Sequence, residues 1–249
     1  MKNKYKKFFE AIDKNDYVYI EKQVEKEINL NVKNEEGYTG LHKAIFSNNV
    51  EMCSFLIRKG IIFNDISCHY ASALGRIEVI KILIDNGVDV NTKDVAEWTP
   101  LHWASQEGHI EVIDLLLKNN AQIDAQEEEG QTPLYISVAE GQYEVAKYLL
   151  LNGAEVDLPS FSGTTPFNIA CAFENYQEAE LLLNCGANID YRDMDGRTPL
   201  FYAKIRKRNE MINFLLKNGA STEVIDNYGI SILDLKDSNI RGKLFEELY

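Results

Sequence analysis

The stretch "TPLHWASQEGHIEVIDLLLKNNAQIDAQEEEG", residues 99–130, decides the fold because its pattern recurs along the chain. The Thr-Pro pairs stand 33 residues apart, at Thr99, Thr132, Thr165 and Thr198. A second series, of glycines with Asn120 in one place, keeps the same spacing from Gly87 to Gly219. Two series in one phase indicate a repeat protein, so the two histidines and the tryptophan of this stretch belong to a repeat unit and not to an active site.

Each unit has the signals of two short helices and a loop. Thr99 is a good N-cap, Pro100 suits the first helical position, and Gly108 ends the first helix. In "IEVIDLLLKNN" the apolar face of a second helix is expected to carry Val112, Leu115 and Leu116. The turn-rich "AQIDAQEEEGQ" then predicts a hairpin loop. One pair buries too little apolar surface alone, so stacked pairs are predicted to form a solenoid.

These residues closely resemble the ankyrin repeat, whose pattern opens with T-P-L-H-x-A. The same pattern recurs in "QTPLYISVAEGQYEVAKYLLLNGAEVDLPSFSG", and the resemblance covers about residues 5–249. It implies an all-α ankyrin-repeat solenoid of stacked helix-turn-helix pairs with β-hairpin loops. It also implies protein recognition through the hairpin tips and the concave face.

The repeat phase predicts a single domain over residues 1–249. Residues 1–37 are predicted to be an N-terminal capping repeat, 38–230 six internal repeats, and 231–249 a C-terminal cap. Between Gly60 and Gly87 the spacing falls to 27 residues. The hairpin is therefore expected to be shortened at residues 60–66.

The histidines do not predict chemistry. His42, His69 and His102 share the fourth anchor position, where the resemblance implies a structural imidazole that hydrogen-bonds backbone in the adjoining loop. They and His109 lack metal-ligand spacing, and no nucleotide-binding or nucleophile motif occurs. We therefore expect no metal, no cofactor, no catalytic residue and no enzyme activity.

Cysteine spacing and hydropathy bear on location. The four cysteines show no C-x-x-C pair, which suits free thiols in a reducing compartment. No run of 18 apolar residues is present, so no membrane span is expected. A cytoplasmic protein is the resulting prediction.

Negative charge is concentrated in the middle of the chain. Residues 94–160 carry thirteen acids against two bases, a net of −11, while the whole chain carries −13. Nucleic acid is disfavoured as a partner because phosphate binding needs a basic surface. We expect the protein to be a monomer and its partner to be a protein with a basic, partly apolar surface.

The repeat register selects ten candidate partner-binding residues. Trp98 is expected to be exposed on a hairpin, whereas Trp103 either packs between neighbouring first helices or contacts the partner. The candidates are Trp98, Trp103, Glu107, Glu127, Glu128, Glu129, Glu140, Phe161, Phe173 and Arg197.

Three function classes are compatible with such an array. The first is a non-enzymatic protein–protein interaction module. The alternatives are an immunity-type inhibitor that blocks a basic toxin or nuclease, and an effector delivered into a host cell. Co-expression with a neighbouring toxin gene and a translocation assay would distinguish them.

Overall fold

The computed structural model describes residues 2–63 and 66–236. These residues form fourteen α-helices and one turn of 3₁₀ helix at Asp234–Lys236, and they contain no β-strand. The helices are α1 Lys2–Asp13, α2 Tyr17–Val24, α3 Gly40–Phe46, α4 Val50–Arg58, α5 Ile66–Ala73, α6 Ile77–Asp85, α7 Pro100–Gln106, α8 Ile110–Lys118, α9 Pro133–Ala139, α10 Tyr143–Leu151, α11 Pro166–Phe173, α12 Tyr176–Asn184, α13 Pro199–Ile205 and α14 Asn209–Lys217.

The helices belong to two compact units, Met1–Gln122 and Ile123–Tyr249, here called the N-terminal and C-terminal units. In the N-terminal unit each first helix packs on its own second helix, and α1, α3, α5 and α7 also pack on one another in order. The second helices α4, α6 and α8 do the same. The C-terminal unit repeats this arrangement with α9, α11 and α13 as first helices. The prediction of an all-α repeat solenoid is confirmed.

The first helices begin where the Thr-Pro pairs predict. Thr132 Oγ1 accepts a hydrogen bond from Tyr135 N–H at 3.1 Å, and Pro133 takes the first helical position. Thr165 caps α11 in the same way, through Asn168 N–H at 3.3 Å. Both threonines therefore satisfy a backbone donor that the first turn leaves without a helical partner.

Small residues let neighbouring first helices approach closely. The sixth position of the pattern that opens with T-P-L-H-x-A holds a small residue that is fully buried, at Ala44, Ala71, Ala104, Ser137, Ala170 and Ala203. The second helices bury an apolar stripe in turn, but in α8 that stripe differs slightly from the prediction. It consists of Val112, Ile113 and Leu116, whereas Leu115 is only half-buried.

The loops reverse direction without forming β-strands. In the described residues the only paired β residues outside helices are Ile225 and Ser231, which form one isolated antiparallel bridge. The expected β-hairpin loops are thus hairpin turns that are too short for a ladder. The connection at 60–66, two residues of which lie outside the described part, stays a prediction, as does the C-terminal cap, described only over 231–236.

Glu97 offers a test of backbone strain in these turns. Its φ is +58°, at a turn position where Gly37, Gly130 and Gly163 stand in other repeats. A side chain disfavours this left-handed conformation, so Glu97→Gly should raise the free energy of unfolding by about 0.5–1 kcal/mol. The exposed Lys93–Glu97 ion pair, at 2.9 Å, contributes too little to offset this gain. Urea denaturation measures the difference.

Glu97→Ala is the matched control because it removes the same ion pair and keeps the Cβ atom. It should bring no gain in stability. Equal stabilisation by alanine and glycine would show that the carboxylate, and not the backbone conformation, limits stability at this turn.

Candidate interaction surface

The C-terminal unit has hairpin turns at residues 127–131, 160–164, 193–197 and 226–230. In each turn the N–H of the first residue donates to the carbonyl of the fifth, at 2.9 to 3.2 Å. This bond closes the turn and projects its second and third residues outward. These turns are the predicted hairpin tips.

Backbone hydrogen bonds also join each turn to the next one along the unit. An N–H of the later turn donates to a carbonyl of the earlier turn. The bonds run from Phe161 to Glu129 (2.8 Å), from Met194 to Ser162 (3.3 Å) and from Asn227 to Asp195 (2.7 Å). The main chain therefore holds neighbouring turns together, and the side chains of Phe161 and Met194 stay 58% and 69% exposed.

Glu127 was expected to contact a partner, and the structure corrects this because the side chain is buried, with 4% exposure. Its Oε1 accepts hydrogen bonds from the N–H groups of Glu129 (3.0 Å) and Gln131 (2.8 Å), so the carboxylate holds the turn. The same register position does this in other repeats, at Asn34, Asp94 and Asp226. The recurrence of a carboxylate or amide side chain at this position is a sequence signal that predicts the turn-stabilising role of Glu127.

Glu128, Glu129 and Phe161, three of the candidate residues, are exposed, and we call them the acidic tip. Glu129 Oε2 accepts a hydrogen bond from Gln131 Nε2 at 2.7 Å. Between residues 123 and 163 the only basic residue in the sequence is Lys147, so little neutralises these carboxylates. The acidic tip combines negative charge with an exposed aromatic ring.

A cavity of about 380 Å³ lies beside the acidic tip, between the first two turns of the C-terminal unit. Carboxylate, amide, hydroxyl and aromatic groups surround it. Its lining residues are Glu129, Gln131, Tyr135, Ser160, Phe161 and Ser162. No sequence signal predicts a role for Tyr135, Ser160 or Ser162, because the cavity exists only where two turns meet.

Arg197 was also expected at a partner contact, and the structure corrects this too, since it is 1% exposed. Its guanidinium pairs with Asp195 at 3.0 Å and with the buried Asp226 at 3.5 Å. Aromatic rings cover it as well, with Phe201 at 6.0 Å and Tyr228 at 5.5 Å from ring centroid to Cζ. Arg197 is buried because two turns and a helix close around it.

Glu140 and Phe173 lie near the C-terminal ends of first helices. Glu140 is exposed at the end of α9, and Phe173 is 49% exposed at the end of α11. The guanidinium of Arg206 lies 5.0 Å from the Phe173 ring centroid. Both candidates are accessible, and Phe173 already has a cation against its ring.

The N-terminal unit holds the two tryptophans. Trp98 is half-buried and not fully exposed, because its ring packs 4.8 Å from that of Trp103 and 5.8 Å from that of His102. Trp103 Nε1–H donates to Asp94 Oδ2 at 2.9 Å and is also half-buried. Glu107 is exposed at the end of α7. The two indole rings therefore stabilise the turn, and part of their own surface stays accessible to solvent.

The histidines make backbone hydrogen bonds. His69 Nε2 lies 2.9 Å from the carbonyl oxygen of Trp98 in the adjoining loop, as predicted for this position. His102 Nδ1 accepts from Thr99 N–H at 3.1 Å, and His109 Nε2 lies 3.1 Å from the Ala73 carbonyl oxygen. These contacts account for the imidazoles as structural groups.

Two further observations concern residues 2–63 and 66–236. Among them no three His, Cys, Asp or Glu side chains are grouped closely enough to hold a metal ion. None of their helices is both long enough and apolar enough to cross a membrane.

A comparison with protein-family models places ankyrin repeats, a model of three copies, on residues 8–94, 68–160 and 150–226. The chain belongs to the ankyrin repeat family. A search of curated proteins returned no match. Ankyrin repeats are generally protein–protein interaction modules and are typically non-enzymatic, so the exposed hairpin tips are the surfaces to consider for a partner.

Proposed function

We propose that this ankyrin repeat protein binds a partner protein with a basic, partly apolar surface, without catalysing a reaction. The acidic tip carries the proposal. Phe161, with 58% exposure, lies beside two exposed carboxylates, Glu128 and Glu129. An aromatic ring that is open to solvent beside charged groups is the kind of anchor found at binding hot spots.

The fixed position of Phe161 supports this role. Its N–H is bonded to the Glu129 carbonyl at 2.8 Å, so the ring is presented by an ordered backbone. Because this backbone is already ordered, binding through Phe161 costs little backbone conformational entropy. Glu128 and Glu129 would attract a basic surface over a distance of about one Debye length, about 10 Å at 0.1 M salt.

The N-terminal unit offers a second contact region of the same character. The half-buried rings of Trp98 and Trp103 lie near the exposed carboxylates of Glu97 and Glu107 in sequence. We propose that these tryptophans contact the partner with the faces that remain open. Glu140 and Phe173 extend the proposed surface of the C-terminal unit.

The charge of Glu128 should affect the association rate constant of partner binding, and the ring of Phe161 should affect the dissociation rate constant. Once affinity capture has identified a partner, Glu128→Lys should slow association at low salt, and the difference should shrink as salt is added. Phe161→Ala should instead speed dissociation at every salt concentration, with a loss of about 2 kcal/mol in binding free energy. Surface plasmon resonance at two ionic strengths measures both.

Two controls match these changes in residue type. Glu180→Lys alters an exposed acid on α12, and Leu151→Ala truncates an exposed apolar side chain at the end of α10. Neither lies in a hairpin turn, so both should bind as the unaltered protein does. If Glu180→Lys slows association as much as Glu128→Lys, overall charge and not the acidic tip governs binding.

A further inference from the structure

The cavity beside the acidic tip corresponds in the repeat register to the place where Arg197 is buried. Two repeat lengths separate each lining residue from its counterpart. The pairs are Gln131 with Arg197, Glu129 with Asp195, Tyr135 with Phe201, Ser160 with Asp226, and Ser162 with Tyr228. The same location between two turns thus holds a guanidinium in one repeat and an open cavity in another.

The occupied location shows what this geometry binds. The Arg197 guanidinium lies between carboxylates of two successive turns, 3.0 Å from Asp195 and 3.5 Å from Asp226. The Phe201 ring on the helix and the Tyr228 ring on the later turn lie within 6.0 Å of it. A planar cation is therefore held by charge and by aromatic faces together.

The cavity beside the acidic tip keeps several features of the Arg197 site, but no arginine occupies it. Glu129 retains the carboxylate of the first turn and Tyr135 the aromatic ring of the helix, while Phe161 adds an exposed ring. Gln131, a shorter and neutral residue, stands where the arginine would be. The remaining wall presents hydroxyl oxygens of Ser160 and Ser162, which lie 2.8 Å apart.

We propose that this cavity binds an arginine side chain of the partner protein. The inference rests on the proposed function and specifies which partner group the surface recognises. Carboxylate and hydroxyl oxygens supply acceptors for the guanidinium N–H groups, and the Phe161 ring supplies a face for stacking. Lysine is the weaker candidate because its ammonium is a strongly hydrated point charge that cannot stack in this way.

The first experiment uses small probes. Nα-acetyl-arginine methylamide is titrated into the full chain while backbone amide signals of residues 129–131 and 160–162 are followed by NMR. Saturable shifts confined to these turns are expected, with weaker shifts from the corresponding lysine compound. Absence of a saturable shift, or equal shifts from both probes, would overturn the assignment to arginine.

Gln131→Arg tests whether the cavity accepts an arginine side chain as the corresponding location around Arg197 does. The introduced side chain should occupy the cavity from within, as Arg197 does in its own repeat, and abolish probe binding while the fold is retained. Gln177→Arg adds the same charge on α12, at an exposed position, and should leave the probe shifts unchanged. Probe shifts that survive Gln131→Arg would contradict the proposal, provided circular dichroism shows an intact helical fold.

Glu129→Gln removes the charge and preserves the side-chain size. Binding of the arginine probe should weaken by about tenfold, whereas Glu180→Gln, which neutralises an exposed acid on α12 outside the cavity lining, should leave it unchanged. Equal weakening by both would indicate general electrostatic attraction and would overturn a specific site.

Binding measurements with the identified partner distinguish the arginine site from the proposed function. If Phe161→Ala weakens partner binding but Gln131→Arg does not, the interaction surface stands and the arginine site is wrong. If neither substitution affects partner binding, the partner docks elsewhere and both proposals fail.

Discussion

Arg197→Ala should lower the free energy of unfolding by about 3–5 kcal/mol, because the buried Asp226 would lose its positive partner. Arg197 is 1% exposed and Asp226 is 4% exposed, so water cannot replace the lost charge without opening the turns. The contacts with Phe201 and Tyr228 would be lost as well. Urea denaturation followed by circular dichroism measures the change.

Arg197→Met separates charge from packing. It fills part of the same space without a charge, and adding Asp226→Asn to it should recover stability because no carboxylate is then left unpaired. An additive double variant would show that Arg197 acts mainly through packing.

The loss in free energy of unfolding caused by Arg197→Ala should also depend on pH, through the titration of Asp193. Burial raises the pKa of the Asp193 carboxyl, and the charge of Arg197 opposes that rise. Removing the arginine should raise this pKa further. A carboxyl with a raised folded-state pKa costs stability when it is ionised, and the cost disappears as pH falls below its ordinary pKa. The deficit should therefore be smaller at about pH 4.5 than at about pH 7.

Gly130→Ala should destabilise the C-terminal unit by about 2–4 kcal/mol, since it combines backbone strain with a steric clash. Gly130 has φ of +78°, and an added Cβ would lie 2.6 Å from both the backbone nitrogen and Cδ1 of Phe161. The bond from Phe161 N–H to the Glu129 carbonyl could not persist at its present length. Thermal and urea denaturation should both report the loss.

Gly37→Ala is the matched control for the clash. Gly37 occupies the same turn position with φ of +88°, but no described atom lies within 4 Å of an added Cβ. Only backbone strain remains, so the loss should be about 1 kcal/mol. Equal losses at the two positions would show that the contact between turns contributes little.

Local signals made the helices predictable from the sequence. Thr132 and Thr165 with their following prolines mark helix starts that depend only on nearby backbone, and the structure confirms both. The left-handed conformation of Asn120, with φ of +66°, likewise follows from its place in the glycine series. Such features can be predicted without knowing how neighbouring repeats pack.

The surface was less predictable because exposure depends on the neighbouring turn. Glu127 and Arg197 are charged residues at hairpin positions, where the repeat register predicts accessible side chains. In the structure Glu127 turns inward to its own backbone, and Arg197 is covered by residues of the following turn. Comparison of each position across all repeats predicts the role of Glu127, whereas the cavity depends on how two neighbouring turns pack.

The backbone bonds between turns have a consequence for how such a protein can diversify. Because the main chain joins one turn to the next, the outermost side chains, such as Phe161 and Met194, are largely free of packing constraints. A point mutation there should alter recognition at almost no cost in folding. A lineage carrying this array could therefore exchange one binding target for another in single steps, while residues such as Arg197 and Gly130 stay fixed.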